Sequence, residues 1–584
     1  MVSPLHPVLA GPGLSVPRSF GRRHNVVKVC ITKFMDVWFS LQLSHYGGKY
    51  SVERLLAFED YMERTPFSRV MLITIGTPVP IVALVFCQES VPLQDPTDGW
   101  SVNYGFWVRV AVQGGVIACS SAIHVGHFVE GAVLSSRQLT LFTLCIAVVY
   151  TSLALTIAAT WKFPIPFMHM ILAMGMPFFL VGLFRSVVGS SIFRQVSSHT
   201  IQLRQLGKMF AVQILMIAIY PAHQMLFYAV TNTSFELPAI LMLSVVKLVM
   251  KNLLASTVLH MEDIVPEEVI FNVDFFHAIY LVTCMQGASS PNTVIAIMAV
   301  DVADTIIELR ELYQRTRSIL NRFSPERGVK DCHYDLLVSI RSWIHQANLK
   351  KLRNGNFQTL SCISHRVSLD SRALLEKLQT FSLNSAVCSD GAVPVKVAGT
   401  VTVARAVCRA SLWRCCPGGS TPVQPIKSIL VPVKTRSSLQ HQGSFHRRMQ
   451  QNFNTLSEPL ELLFTSECLV LTEYLETIIP IMYGCGILVM VNLPSAKYHS
   501  EMQGITLENV GGKVLGIFAY GLLELISFVA LAVIMRRNCG IRALYQLAFV
   551  LETQMPLVQA KFVLWVIMVL ACRVTHFGVD FHLS

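Results

Sequence analysis

Long apolar runs, separated by short polar or turn-forming stretches, dominate this chain. A helix needs roughly 20 apolar residues to cross about 30 Å of hydrocarbon. Eleven runs meet that need, near residues 69–87, 105–133, 139–160, 165–184, 209–230, 237–256, 268–288, 292–309, 466–491, 514–535 and 557–577. Only helices satisfy all their backbone groups inside lipid when the segments stand singly, so each run predicts an α-helix. The eighth run is short and carries Asp301 and Asp304, and the ninth is interrupted by Glu473, Glu476 and Pro480. The stretch from Ala543 to Met555 reads as an interfacial helix ahead of the last span. The pattern therefore predicts an all-α polytopic bundle of about eleven spans, with eight before a long polar loop and three after it.

Composition removes the alternatives. Apolar residues are 53% and charged residues 14% of the 584, with a mean hydropathy of +0.52. Soluble domains carry about 25% charge, so a water-soluble globule is excluded, as is whole-chain disorder. The net charge of +12 marks sidedness here, not a nucleic-acid partner. With the N-terminus inside, the cytoplasmic segments hold 38 of the 47 Lys and Arg, and the opposite loops hold Lys162, Lys497 and Lys513. Without the long loop the division is still 16 to 3. Removing one helix from the first eight would place the basic loop on the wrong side. Residues 1–25 contain no apolar core of a signal peptide, so the first span is expected to act as an uncleaved targeting signal. The fifteen cysteines have neither metal-ligand nor disulfide-framework spacing.

Outside the spans, residues 1–68 form a basic cytoplasmic tail. Within it, Ser51 caps an expected helix to Arg64, with Leu55, Phe58 and Met62 as an apolar stripe lying either on the membrane surface or against the bundle. The loop 310–465 divides into a helical part, 310–382, and a Ser-, Val-, Pro- and Gly-rich flexible linker, 383–455. Its 22 basic residues face 8 or 9 acidic ones, depending on where the loop ends, which suits anionic headgroups or a cytoplasmic partner. No internal repeat is present, so an inverted-repeat transporter plan has no direct support.

The candidate chemistry is a set of ionisable groups at membrane depth. Lys247 and Lys251 share a face of the sixth run, and Asp274 lies in the seventh. Asp301 and Asp304 lie in the eighth, Glu473 and Glu476 in the ninth, and Glu524 in the tenth. Burying any one costs roughly 2.5–3.5 kcal/mol on insertion scales. These groups should therefore face the bundle interior, with Lys paired to Asp. They read either as an acid-lined cation or proton path, or as interhelical ion pairs that fix packing. His124, His127 and Glu130 cover an arc of about 120° and fall short of the three or four convergent ligands a metal site wants, so polar packing is the favoured reading. Met170 and Met174 have a spacing that suits Cu(I), though core packing explains them as well. Asn232 opens the one N-x-[ST] sequon, on the outer side in a short loop. The acidic outer loop 88–104 reads as a capped turn or a cation vestibule. No Walker, G-x-G-x-x-G, H-E-x-x-H or G-x-S-x-G motif is present, which weakens ATP-driven transport and soluble-type hydrolysis. No cofactor is expected, and no catalytic residue is assigned.

Several phrases resemble a large family of oomycete multi-pass membrane proteins. They are Lys49 to Tyr61, Val91 to Trp100 with Asn103 to Gly105, Phe163 to Pro166, Glu262 to Glu268 and His576 to Asp580. The resemblance implies a polytopic architecture in a eukaryotic plasma membrane or endomembrane, and it transfers no catalytic residue. Two functions follow as expectations. The first is movement of an ion or small solute through a polar intramembrane seam. The second is a non-transport scaffold or receptor-like protein that binds lipids or partners through the basic loop.

Overall fold

The apolar runs are helices in the computed structural model, which describes residues 48–288, 291–323, 358–389 and 443–578. Helix α1 (Val52–Arg64) precedes a first span broken at Pro78, which has no N–H to continue a helix, into α2 (Phe67–Gly76) and α3 (Val79–Glu89). Then come α4 (Tyr104–Phe128), α5 (Ser136–Thr160), α6 (Met168–Val188), the short α7 (Ser190–Ser198), α8 (Thr200–Val230) and α9 (Glu236–Val258). The next span is composite: α10 (Val265–Val269), one π turn over Ile270–Asp274, and α11 (Phe275–Gly287). After it follow α12 (Pro291–Phe323), α13 (Leu369–Ser389), α14 (Gly443–Met490), α15 (Val510–Cys539), α16 (Ala543–Thr553) and α17 (Met555–Arg573). Among the described residues ten helical segments are long and apolar enough to cross a membrane, and they coincide with ten of the eleven expected runs. The chain is an all-α polytopic bundle and an integral membrane protein.

The span Glu262–Gly287 is the axis of the bundle. Its apolar window is buried along its whole length, whereas most other spans leave half or more of theirs uncovered by protein, as lipid-facing helices do. It begins at Glu262, several residues before the hydropathic run at 268, because Glu267 and Glu268 are buried against Lys561 of α17. Helices α4, α5 and α6 form one flank, closed by α17, while α12, α14 and α15 form the other. Helices α8 and α9 pair beside the axis.

The two ends of the bundle are distinct. At the proximal end the Tyr50 amide donates to the Leu460 carbonyl, that of Val52 to Gln358, and the Ser51 hydroxyl to Asp263. At the distal end Gln286, Tyr483, Glu501 and Arg573 meet. The chain is thus distal at residue 287 and proximal again by residue 358. Helix α12, about 50 Å long at 1.5 Å per residue, makes that crossing. Its Asp301 accepts from Tyr520 in α15, and its Leu309 and Tyr313 face Val533 and Arg537 nearer the proximal end of α15. The eighth expected run is therefore a crossing helix, although it is more polar than the ten that qualify by length and composition.

Other expectations are adjusted. The first residues of α14, 443–455, are helical inside the stretch expected as flexible linker, and residues 390–442 of that linker lie outside the described residues. Of the part expected to be helical, 310–382, the structure shows the end of α12, an open stretch over 358–368 and α13, while 324–357 lie outside the described residues. Most of the basic tail, 1–47, also lies outside them. Helix α16, expected to be an interfacial helix, is covered by protein along most of its length and packed on α2.

Helix α1 starts as expected, with the Ser51 side chain accepting from the Arg54 amide. Its stripe turns to the bundle and not to lipid. Leu55 and Phe58 are buried, and the Phe58 ring lies 5.5 Å from that of Phe549 in α16. Residues 358–368 lie over α1, where the Ser361 amide donates to Glu53 and that of Ser368 to Asp60. His365 stacks on Phe549, centroids 5.5 Å apart, and burial together with the nearby Arg54 guanidinium pushes its imidazole down to about 3. A free histidine titrates near 6.5. Docking of this stretch is therefore supported in full above about pH 6.5 and is lost as pH falls from there toward 3. Amide exchange across 358–372 should accelerate several-fold between pH 7.5 and 5 after correction for intrinsic rates. His365→Phe, which keeps the stacked ring, should abolish that dependence.

Candidate functional site

The polar residues of five helices, α9, the axial span, α12, α14 and α15, converge at mid-depth. Lys251 Nζ lies 2.8 Å from Asp274 Oδ1. Lys247 Nζ lies 3.6 Å from the same oxygen and 2.7 Å from Glu476 Oε1. Thr472 donates to the other Asp274 oxygen at 3.0 Å. The expected Lys–Asp pairing is thus present, with both ammonium groups gathered on one carboxylate because Lys247 and Lys251 share a helix face. Next to this knot, Tyr520 donates to Asp301 at 3.0 Å and Ser527 to Glu473 at 2.7 Å. Glu524 of α15 is buried beside the same group. Glu473, Glu476 and Glu524 are buried, while Asp304 sits at the edge of the cluster, uncovered.

One further member, Glu308, lies in the field of Lys251, Glu476 and Lys247. The sequence carried a signal for it: Glu308 is four residues beyond Asp304 and seven beyond Asp301, on the same helix face. The cluster then holds seven carboxyls, Asp274, Asp301, Asp304, Glu308, Glu473, Glu476 and Glu524, against the two ammonium groups of Lys247 and Lys251. Full ionisation would leave five negative charges without an ammonium partner at membrane depth, which is costly for the buried members of the cluster.

A second buried group went unread from sequence. Lys561 Nζ lies 2.7 Å from Glu267 and 2.5 Å from Glu268, all three fully buried. The adjacent Glu-Glu pair and a single Lys in an otherwise apolar last span were its trace. Asn272 in the π turn joins this system, its carbonyl oxygen accepting from Trp565 at 2.8 Å and from Gln213 at 3.1 Å. Each end of the bundle also carries an ion-pair knot. Arg54 and Tyr50 meet Glu467 proximally. Distally, Glu89 meets Arg109 at 2.8 Å and His499 at 3.0 Å, and Arg573 meets Glu501.

The remaining candidates separate. His124 and His127 each turn Nδ1 to a backbone carbonyl of their own helix, and Glu130 is exposed beyond its end. Among the described residues no three His, Cys, Asp or Glu side chains are placed to hold a metal. Met174 points outward while Met176 is buried. Asn232 is exposed in the distal turn between α8 and α9, at φ 67°, a left-handed conformation Asn tolerates. The loop 88–104 is a capped turn and not an acid-lined vestibule. Asp95 accepts from the amide and hydroxyl of Thr97, bonds that hold its carboxyl below the usual range, and Asn103 ties Asp95 to Gly99 through their carbonyls. The phrases that carry the family resemblance meet in two places. Residues 49–51 meet 262–263 proximally, and Gln94 and Asn103 meet His576 distally, where the rings of Phe106, Phe163 and His576 are in contact.

No family model, curated protein or solved structure matches this chain. The geometry alone therefore carries the functional reading.

Removing the cation of a buried charge group costs about 3–5 kcal/mol in typical cases, whereas replacing the whole group is often neutral. Lys561→Met should sharply lower the yield and thermal midpoint of detergent-solubilised protein. Adding Glu267→Gln and Glu268→Gln to it should restore most of the loss, measured in one thermal-unfolding series.

Proposed function

We propose that this protein moves protons or a small cation, alone or coupled to a small solute, through the carboxyl-rich seam between α9, the axial span, α12, α14 and α15. The observation that carries the reading is the surplus of five carboxyls over ammonium groups at membrane depth. A purely structural network would match its charges, as Lys247, Lys251, Asp274 and Glu476 do among themselves with Thr472. Asp301 and Glu473 instead accept from the neutral hydroxyls of Tyr520 and Ser527, with no cation paired to either, as intramembrane carboxyls on an ion path do. The setting we assign is a eukaryotic membrane of the oomycete type, with the proximal end cytoplasmic. The positive-inside distribution supports this orientation, since Arg137, Arg185, Arg194, Arg204, Arg536 and Arg537 belong to the proximal connections.

Two measurements test this. In liposomes holding a pH-sensitive dye, purified protein should dissipate an imposed proton or alkali-cation gradient. Asp301→Asn and Glu524→Gln should cut that flux tenfold or more while leaving the thermal midpoint nearly unchanged, because the amides still accept from Tyr520 or fill the same volume. Equal flux in both variants, or none in the parent protein, makes the seam structural and leaves the scaffold reading, in which the basic loop 310–465 binds lipid or partners. For orientation, an epitope tag at Arg137 should be reached by antibody only after cells are permeabilised. A tag at Glu508 should be reached in intact cells if the protein resides at the plasma membrane.

A further inference from the structure

Toward their proximal ends α12 and α15 leave a cleft of about 440 Å³ between them. Its lining includes Leu309, Arg310 and Tyr313 of α12 and Val533, Arg537 and Asn538 of α15. Both helices run from the distal to the proximal end, so their faces can be compared in register. On α12, Ile306, Arg310 and Tyr313 fall at i, i+4 and i+7, and on α15, Val529, Val533 and Arg537 fall at i, i+4 and i+8. Each set forms one stripe along its helix, apolar toward mid-membrane and cationic or polar toward the proximal surface. All six residues are exposed. From Val529 to Arg537 the stripe is about 12 Å long at 1.5 Å per residue.

The charge in this cleft is uncompensated. No Asp or Glu lines it, and among the described residues neither Arg310 nor Arg537 is ion-paired. The adjacent Glu311 is taken by Arg315. By length and composition the apolar span of α15 runs Val510–Asn538, so Arg537 stands where the helix leaves the hydrocarbon. Two guanidinium groups held on packed helices at that depth suit an anion, and their planar forks match phosphate oxygens bidentately. Tyr313 and Asn538 add neutral donors, and tyrosine is favoured at headgroup level. The apolar part of the stripes separates the two sources of such an anion. A free phosphate would meet the arginines and leave Ile306, Val529 and Val533 bare. A phosphate that carries acyl chains covers them.

We propose that this cleft binds an anionic phospholipid of the proximal leaflet, with its headgroup phosphate between Arg310 and Arg537 and its acyl chains along Ile306, Val529 and Val533. In the orientation assigned to the bundle the proximal leaflet is the cytoplasmic one, which carries the anionic lipids. Basic pockets between membrane helices on that side are a recurrent setting for charged headgroups. The site is built on two packed helices and differs from the diffuse attraction of a basic loop. It uses no seam carboxyl, so it stands whether or not the seam conducts.

The test uses the purified full chain in detergent, titrated with fluorescent phosphatidic acid. Binding should saturate, and unlabelled phosphatidic acid should displace the probe. A tenfold excess of phosphatidylcholine or of glycerol phosphate should not. Arg310→Gln combined with Arg537→Gln should weaken binding at least tenfold with an unchanged thermal midpoint, since both side chains are exposed. Arg317→Gln combined with Arg536→Gln removes the same charge from exposed positions outside the cleft and should change binding less than twofold. Val533→Trp fills the cleft without altering charge and should weaken binding severalfold. The proposal is overturned if binding does not saturate, if phosphatidylcholine competes equally, or if glycerol phosphate displaces the lipid, which would mark a site for free anions. Equal losses in the two double variants would overturn it as well, because they would show diffuse surface attraction, and so would parental binding by Val533→Trp.

Discussion

A helix wholly surrounded by other helices inside a membrane has no water with which to settle its polar groups. The axial span nevertheless carries Glu267, Glu268, Asn272, Asp274 and Thr283. Each must find its counterpart on a neighbouring helix, and the identity of those counterparts fixes which helix lies where. Lys561 and Trp565 bring in α17, Gln213 brings in α8, Lys247 and Lys251 bring in α9, and Thr472 brings in α14. Arg573 closes the distal end on Thr283. Apolar packing in lipid is weakly directional, because lipid tails resemble leucine. The polar pairs therefore supply most of the specificity of this arrangement.

The same constraint explains what was legible in the sequence. Ten spans announce themselves because each needs enough contiguous apolar residues to face lipid, a one-dimensional property. The seam residues were legible for a related reason: ionisable groups inside such runs are rare and stand out, and Lys247, Lys251, Asp274 and Glu476 do come together. Glu267, Glu268 and Lys561 did not stand out as a group. They come from segments about 300 residues apart, and the two acids look like the loop that ends a hydropathic run. Their pairing is a tertiary fact.

Helix α12 shows where hydropathy fails for a physical reason. A window average assumes that a span meets lipid all round, but α12 lies against α15 and α14 and turns Asp301 and Glu308 toward them. Its acids are solvated by other side chains, so the average undercounts its fitness to cross. Chain parity is the stronger evidence. Distal contacts at residue 286 and proximal contacts at residue 358 require a crossing between them, whatever the composition of the helix that makes it.

The π turn over Ile270–Asp274 places the two polar systems back to back. Asn272 and Asp274 are two residues apart, which puts them on different sides of the helix, and they serve different neighbours. Asn272 bonds Gln213 and Trp565, both of which line an apolar cavity between α4, α6 and α8. Asp274 bonds Lys251 and Thr472 in the seam. A π turn inserts a residue into the α ladder and persists where side-chain demands outweigh regular hydrogen bonding. Here those demands come from both sides at once. Through Asn272 and Asp274 the axis of the bundle thus bonds, on one side, residues that line the cavity and, on the other, the charged path.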